Sequence, residues 1–238
     1  MSRHEEFTKE KVQSPVTNFL KWSNSNGAFN DYDKQTKETS LKKMPLKFLV
    51  LANYISIGGF DEASNSGYWS NEIKDTRTET LFVRNGNGLF KQGLYADIKA
   101  DLAVVKCKYT EALYVMLEDG TLGHIKLSGT NSRLWFSFKA IAKTKLSKNW
   151  TVFSDAKVAK KGSITWSEPT ISIGEEISAE DAAKADILYD VIQAYKTAPI
   201  ESEDINESHS TKMMNDALAK LDAIDAETID TEIDELPF

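Results

Sequence analysis

Cations placed beside aromatic rings are the side chains of this chain best suited to chemistry. They recur along its 238 residues: Tyr68-Trp69 ahead of Lys74, Arg77 and Arg84; Lys106 and Lys108 with Tyr109; Arg133 with Trp135 and Phe136; Lys148 with Trp150; and Lys157, Lys160 and Lys161 with Trp166. This mixture suits an unpaired polynucleotide. Ammonium and guanidinium groups neutralise phosphates while ring faces stack on exposed bases, at roughly 1–3 kcal/mol per base. Each ring also has a plainer reading as core, and Trp22, Trp135, Phe138 and Trp166 fit that better. Tyr68-Trp69 stands out, because it follows the small, polar loop from Ser64 to Gly67, where a large apolar pair needs another reason. The expected nucleic-acid contacts are therefore Tyr68, Trp69, Lys74, Arg77, Arg84, Lys106, Lys108, Tyr109, Trp150, Lys160 and Lys161. Lys157 to Lys161 reads as a basic turn.

Catalysis finds no comparable constellation. His4, His124 and His209 fall in a loose terminus, a hairpin and a polar tail, and the chain has no HExxH, P-loop or GxSxG pattern. Asn85-Gly86-Asn87-Gly88 lacks the Lys-Ser/Thr ending of a phosphate loop and reads as a turn. Asp61-Glu62 and Asp75 read as solvated loop charges rather than a rigid two-metal site. The single cysteine, Cys107, excludes an internal disulfide and a cysteine-based metal site, and reads as a small residue at a strand start rather than a reactive thiol. The expectation is a protein that is not an enzyme, with no catalytic residue, no metal and no cofactor.

Charge divides the chain. Residues 1–174 carry 25 Lys+Arg against 18 Asp+Glu, a net of +7, and residues 175–238 carry 4 against 18, a net of −14. A basic body followed by an acidic appendage suits a partner that is itself a polyanion. The last residues join acids to an apolar tip, Asp234-Glu235-Leu236-Pro237-Phe238. There a partner pocket can bury the ring while a cation pairs the carboxylate. No run approaches the ~20 apolar residues that span a bilayer. Met1 to Glu10 lacks the apolar core of a signal peptide, so the expected location is cytoplasmic.

The elements that must position these residues are mostly strands. Pro45 to Leu51 reads as a buried strand bounded downstream by Gly58-Gly59. It follows a turn-rich stretch from Asn24 to Ser40. Tyr68 to Lys74 and Glu79 to Arg84 read as two shorter strands. Leu94, Ile98, Leu102 and Val105 recur at helical spacing. Ala112 to Leu117 and Leu122 to Leu127 flank Asp119-Gly120, a two-residue hairpin turn that sets Tyr114 opposite Ile125 and Val115 opposite His124. Asn131 to Lys148 suits a helix carrying Trp135, Phe138 and Ile141. Asn149 to Phe153 and Ser163 to Ile173 read as closing strands, with Pro169 marking an edge or a bulge. Ser178 opens a helix to about Lys196 whose stripe is Leu188, Ile192 and Tyr195. Met214, Leu218, Leu221 and Ile224 form a short amphipathic segment, marginal as an isolated helix.

The expected fold is mainly β with added helices, a small Greek-key barrel of the OB type followed by a C-terminal helix and a disordered acidic tail. The expected division is a flexible 1–13, an OB-fold nucleic-acid-binding domain at 14–174, a packed helix at 175–198 and an acidic tail with a partner-binding tip at 199–238.

The tip Asp234 to Phe238 resembles the acidic, Pro-Phe-ending tip of bacterial single-stranded DNA-binding proteins. Ser14 to Phe19 through Tyr32-Asp33-Lys34, then Leu46 to Leu51, Gly67 to Lys74 and Lys108 to Tyr114, are similar to single-stranded DNA-binding proteins of tailed phages. That resemblance spans most of residues 14–173. It implies an OB-fold core, coating of single-stranded DNA in phage replication, recombination and repair, and a tip that docks replication and recombination proteins. It would place the protein in the host bacterial cytoplasm. The helix and linker after Gly174 depart from the pattern and leave homo-oligomerisation open. Two other readings share the composition: a recombination strand-annealing or double-strand DNA-binding protein, and a phage structural or adaptor protein that binds no DNA.

Overall fold

Leu46 begins a 16-residue strand that organises everything around it. In the computed structural model, which describes residues 14–197 apart from Gln35 and the side chain of Ile164, eleven strands and three α-helices follow in order, with a short 3-10 turn at Lys143–Ser147 after the second helix. They are β1 Asn18–Ser23, β2 Ala28–Asp33, β3 Glu38–Leu41, β4 Leu46–Asp61, β5 Ser66–Ser70, β6 Leu81–Asn85, β7 Gly88–Gly93, α1 Tyr95–Val104, β8 Lys108–Leu117, β9 Leu122–Ser128, α2 Thr130–Ala142, β10 Asn149–Lys161, β11 Ile164–Glu176 and α3 Ala179–Thr197. The expected fold class holds at its coarser level: mainly β with added helices. Residues 1–13 and 198–238, with the acidic tail and its tip, lie outside the described residues.

The sheet runs β3-β2-β1-β9-β8-β4-β5-β6-β7, with β10 joining β4 and β11 joining β10. Among the described residues it does not close on itself. One edge of β4 pairs with β8 from Phe48 to Gly58. Its other edge takes β10 at Leu46 to Phe48, a bridge to Ile73 at Ile55, and β5 from Gly58 onward. The glycines Gly58-Gly59 therefore do not end the strand. Gly59 is needed inside it, because a Cβ there would lie 2.8 Å from Cys107 Cα and 3.0 Å from the Lys106 carbonyl oxygen. The close approach of two backbones is what the missing side chain permits.

The β8–β9 hairpin forms as expected, but its register is shifted by one residue. Tyr114 pairs with His124 and Val115 with Gly123. Asp119-Gly120 occupies the last two positions of a three-residue loop, Glu118 to Gly120, in which Gly120 has φ +78° and Leu117 N–H donates to the Thr121 carbonyl at 2.9 Å. Three-residue loops of this kind end in a left-handed residue, and the extra residue changes which side chains meet.

Three other expectations are corrected. The stretch Asn24 to Ser40 contains β2 and β3: β2 buries Phe29 in the main core, and β3, exposed throughout, forms the edge of the sheet. Lys157 to Lys161 is strand, since β10 continues to Lys161 and the turn is Gly162-Ser163. Ile141 is 83% exposed, whereas Trp135 and Ala142 face the core. Pro169 does sit on an edge strand, opposite the register shift between Ser154 and Ala156.

The two faces of the sheet are covered differently. Odd-numbered β8 residues face α1 and α2, where Leu113, Val115, Leu117, Phe48, Phe153 and Trp135 form the main cluster. Even-numbered residues face α3, where Tyr54, Ala112, Tyr114 and Leu122 meet Ile192. Ser178 Oγ accepts the Asp181 N–H at 3.0 Å, the cap the sequence suggests. Leu188 and Ile192 dock α3 on the sheet as expected.

Candidate nucleic-acid interface

Strand register brings Trp69 between two cations. Trp69 pairs with Gly58 on one side and Arg84 on the other, and Gly58 pairs in turn with Lys108. Directly opposed residues share a face. One row across four strands thus reads Lys108, Gly58, Trp69, Arg84, and it lies on the α3 face, past the end of that helix. Trp69 is half-buried and belongs to none of the core clusters. Neither Lys108 nor Arg84 forms an ion pair among the described residues. Gly58 leaves the space between Lys108 and Trp69 open: a Cβ there would meet only the Tyr68 carbonyl oxygen, at 3.9 Å. Phe60 on β4 and Phe82 on β6, the latter 39% exposed, stand two positions away on the same face. Leu89, paired with Arg84 and 52% exposed, closes the row.

A second row runs parallel to the first. Tyr54 pairs with Ala112, Ala112 with Lys126 and Lys126 with Lys21. The Ile55–Ile73 bridge places Lys74 beside Tyr54, with its ammonium 5.6 Å from the ring centroid. Lys196, in the last turn of α3, stands over the same ring at 4.8 Å and over Tyr114 at 5.1 Å. Between the two rows lie Ser56, Thr110 and Ser128, small hydroxyl side chains in register across β4, β8 and β9. This part of the face thus carries glycine and hydroxyl residues between rings and cations, with Ser56 and Thr110 themselves buried and Ser128 half-buried.

An anion is built into one margin. Glu72 accepts from the Tyr114 hydroxyl at 2.9 Å and pairs with Lys196 at 2.5 Å, and its other oxygen lies 3.2 Å from His124 Nε2. Burial works against its charge. The His124 imidazole, then Lys196 and Lys126, outweigh that and hold the carboxyl well below the usual carboxylate range. Burial lowers His124 from its ordinary 6.5, with Glu72 pulling the other way. This network ties the end of α3 to the sheet beside the Trp69 row.

Of the eleven expected contacts, Trp69, Lys74, Arg84 and Lys108 come together here. Lys106 is exposed in the turn two residues before Lys108, with φ +54°. Arg77 lies in the turn after Lys74, over a groove formed with Leu94, Tyr95 and Ala96. The rest are elsewhere. Tyr68 is 7% exposed on the opposite face, edge-on to Phe90 at 5.0 Å, so its ring offers no open platform. Alternation along β5 decides this: one member of an adjacent pair must point inward. Tyr109 also faces inward, edge-on to Tyr95, with its hydroxyl donating to Glu111 at 3.4 Å. Trp150 is buried under α3 with Leu49, Met116 and Ala185, and Lys47 stands over its ring at 5.0 Å. Lys160 and Lys161 are exposed at the end of the β10–β11 hairpin, beyond the part of β10 that pairs with β4.

Residue types alone left Lys126, Tyr54 and Gly58 unnoticed. The signal for Lys126 was the hairpin register. Among the described residues no group of His, Cys, Asp and Glu is arranged to hold a metal ion. No helix among them is long and apolar enough to cross a membrane. No protein-family model matches the chain, and searches of curated proteins and of solved structures return no match.

Proposed function

We propose that the chain is a non-catalytic, sequence-independent single-stranded DNA-binding protein. It coats exposed strands in phage DNA replication, recombination and repair, and recruits replication proteins through Asp234 to Phe238. The observation that carries this reading is the row Lys108, Gly58, Trp69, Arg84: an open slot beside an indole, with an unpaired cation at each end. A base stacks on Trp69 over Gly58, and its flanking phosphates meet Lys108 and Arg84. The body is read as a small Greek-key barrel of the OB type, partly open, with the long strand β4 at its centre. The acidic tail completes the proposal by competing for the same cations when no DNA is bound.

The test is a titration of intrinsic tryptophan fluorescence with poly-dT oligonucleotides at several salt concentrations. If Lys74, Lys108, Lys126 and Arg84 each neutralise one phosphate, log affinity falls with log salt at a slope near −2.8 (about 0.7 per phosphate). Replacing Arg84 and Lys108 by Ala flattens the slope by about 1.4. A duplex of equal length that binds as tightly as poly-dT replaces this reading with the annealing or duplex-binding one. An oligonucleotide that neither binds nor quenches leaves the adaptor reading.

A further inference from the structure

Helix α3 carries a second apolar stripe that the sheet does not use. Ala185, Leu188 and Ile192 face the body, but Ile187 is 65% exposed and Val191 40% exposed, one turn apart. With exposed Ala183 and Ala194 they form a line about 130° around the helix from the docked side, at ~100° per residue. Asp186 and Asp190 flank this line on one side and Lys184 on the other.

We propose that residues 213–224 of the same chain dock along this stripe as a short helix antiparallel to α3. Met213, Met214, Ala217, Leu218, Leu221 and Ile224 recur at spacings of three and four, an apolar face in a stretch too short to be stable in isolation. Fourteen residues lie between Thr197 and Lys212. At about 3.3 Å each they reach some 46 Å, more than the ~28 Å length of α3, so the chain can turn back. Antiparallel alignment from the end of α3 sets Leu218 near Val191 and Leu221 near Ile187.

Charge selects this occupant over a second copy of α3. In an antiparallel helix pair the flanks on the same side meet. Lys220 then comes beside Asp186 and Asp190. Two copies of α3 arranged this way would set Asp186 and Asp190 against their own equivalents, a like-charge contact that opposes pairing. The docking shortens the tether of the acidic tip, because only five residues separate Ile224 from Asp230. The inference does not depend on what the open sheet face binds.

The test uses the full chain with paired cysteines, Val191→Cys with Leu218→Cys. The comparison pair is Val191→Cys with Asp216→Cys, in which the second thiol lies on the far side of the docked segment. Val191 is exposed, and native Cys107 is buried. Under mild oxidation, with intact mass and non-reducing gels as readout, the Leu218 pair should close within one chain at least ~10-fold faster than the Asp216 pair, because docking raises the local thiol concentration. Lys220→Glu should slow that closure. Equal rates for the two pairs would overturn the proposal. Cross-linked dimers in place of the internal loop would overturn it in favour of a second copy.

Discussion

Filling the slot over Gly58 separates binding from folding more cleanly than removing any ring. Gly58 lies in extended backbone, and a Cβ there meets nothing closer than 3.9 Å, so Gly58→Val should leave the melting temperature unchanged or slightly raised. The valine methyl groups would occupy the space between Trp69 and Lys108 in which a base is proposed to stack. Losing one stack costs about 1–3 kcal/mol, or roughly 5- to 150-fold in affinity for a dT oligonucleotide. Trp69→Ala should weaken binding in the same range. The double variant should be little worse than either single one, because both changes remove the same contact. Gly59→Ala is the contrasting neighbour. Its Cβ would lie 2.8 Å from the Cys107 backbone, so it should destabilise by about 1–3 kcal/mol while leaving the slot open. Fluorescence titration and thermal melts of the parent and the four variants suffice. If Gly58→Val binds as tightly as the parent, the slot is not where bases sit, and the reasoning from the cross-strand row fails.

Three further outcomes follow from the same geometry. His124 is held below 6.5 and Glu72 below 4.5, so the unfolded chain takes up more protons than the folded one on acidification. Stability should therefore fall from about pH 6.5 downward through His124 and again below about pH 4.5 through Glu72, and Glu72→Gln should shrink the second phase in urea melts across pH, with Asp61 and Asp119 left to supply the rest. The same change should cost on the order of 2 kcal/mol at neutral pH, since it leaves Lys196 without its partner. Burial, then the nearby Asp61, pushes the Cys107 thiol up to about 12, so it should resist a disulfide reagent at pH 8 until the chain is unfolded; rapid reaction of the native protein would contradict its placement. Ending the chain near Ile200 should tighten oligonucleotide binding, most at low salt, if the tail competes for the cationic face; equal affinities with and without it would remove that part of the proposal.

Much of the element pattern is legible in the sequence, and the reasons for the failures are specific. The helix carrying Ile98 and Leu102 and the capped helix after Ser178 are written in apolar spacing and cap chemistry, and both form. The turn at Asp119-Gly120 is legible too, but its loop length is not, because Asp-Gly suits both the two-residue turn and the end of a three-residue one. That single residue decided more than pairing. In the two-residue register Lys126 falls opposite Leu113, inside the core, whereas in the actual one it joins Ala112 and Tyr54 on the α3 face. The same ambiguity hid Gly58, which looks like punctuation when read along the chain and like a vacant position when read across four strands. Adjacent rings such as Tyr68 and Trp69 cannot both be open on a strand. Composition finds the pair, and only the pleat says which one is outside.

The direction of α3 explains how a body with little excess charge can present a cationic face. Residues 14–197 carry 24 Lys+Arg and 21 Asp+Glu, so a net of +3 cannot by itself draw a polyanion. The acids of α3 and its approach, Glu175, Glu176, Glu180, Asp181, Asp186 and Asp190, are concentrated toward its N-terminal half, and that half covers Leu49, Met116 and Trp150. Its only cation in the last turn, Lys196, reaches Tyr54 and Tyr114 beside the Trp69 row. This arrangement agrees with the helix dipole, which favours acids at the start and cations at the end. Reversing the helix would set four acids over Lys74 and Lys126 and cancel the field at the Trp69 row. If the Trp69 row binds DNA as proposed, the Glu72–Lys196–His124 network, which fastens that end of α3 to the sheet, bears on binding as well as stability. Loosening it should weaken oligonucleotide affinity before it unfolds the chain, and Lys196→Ala is the variant in which the two effects can be measured side by side.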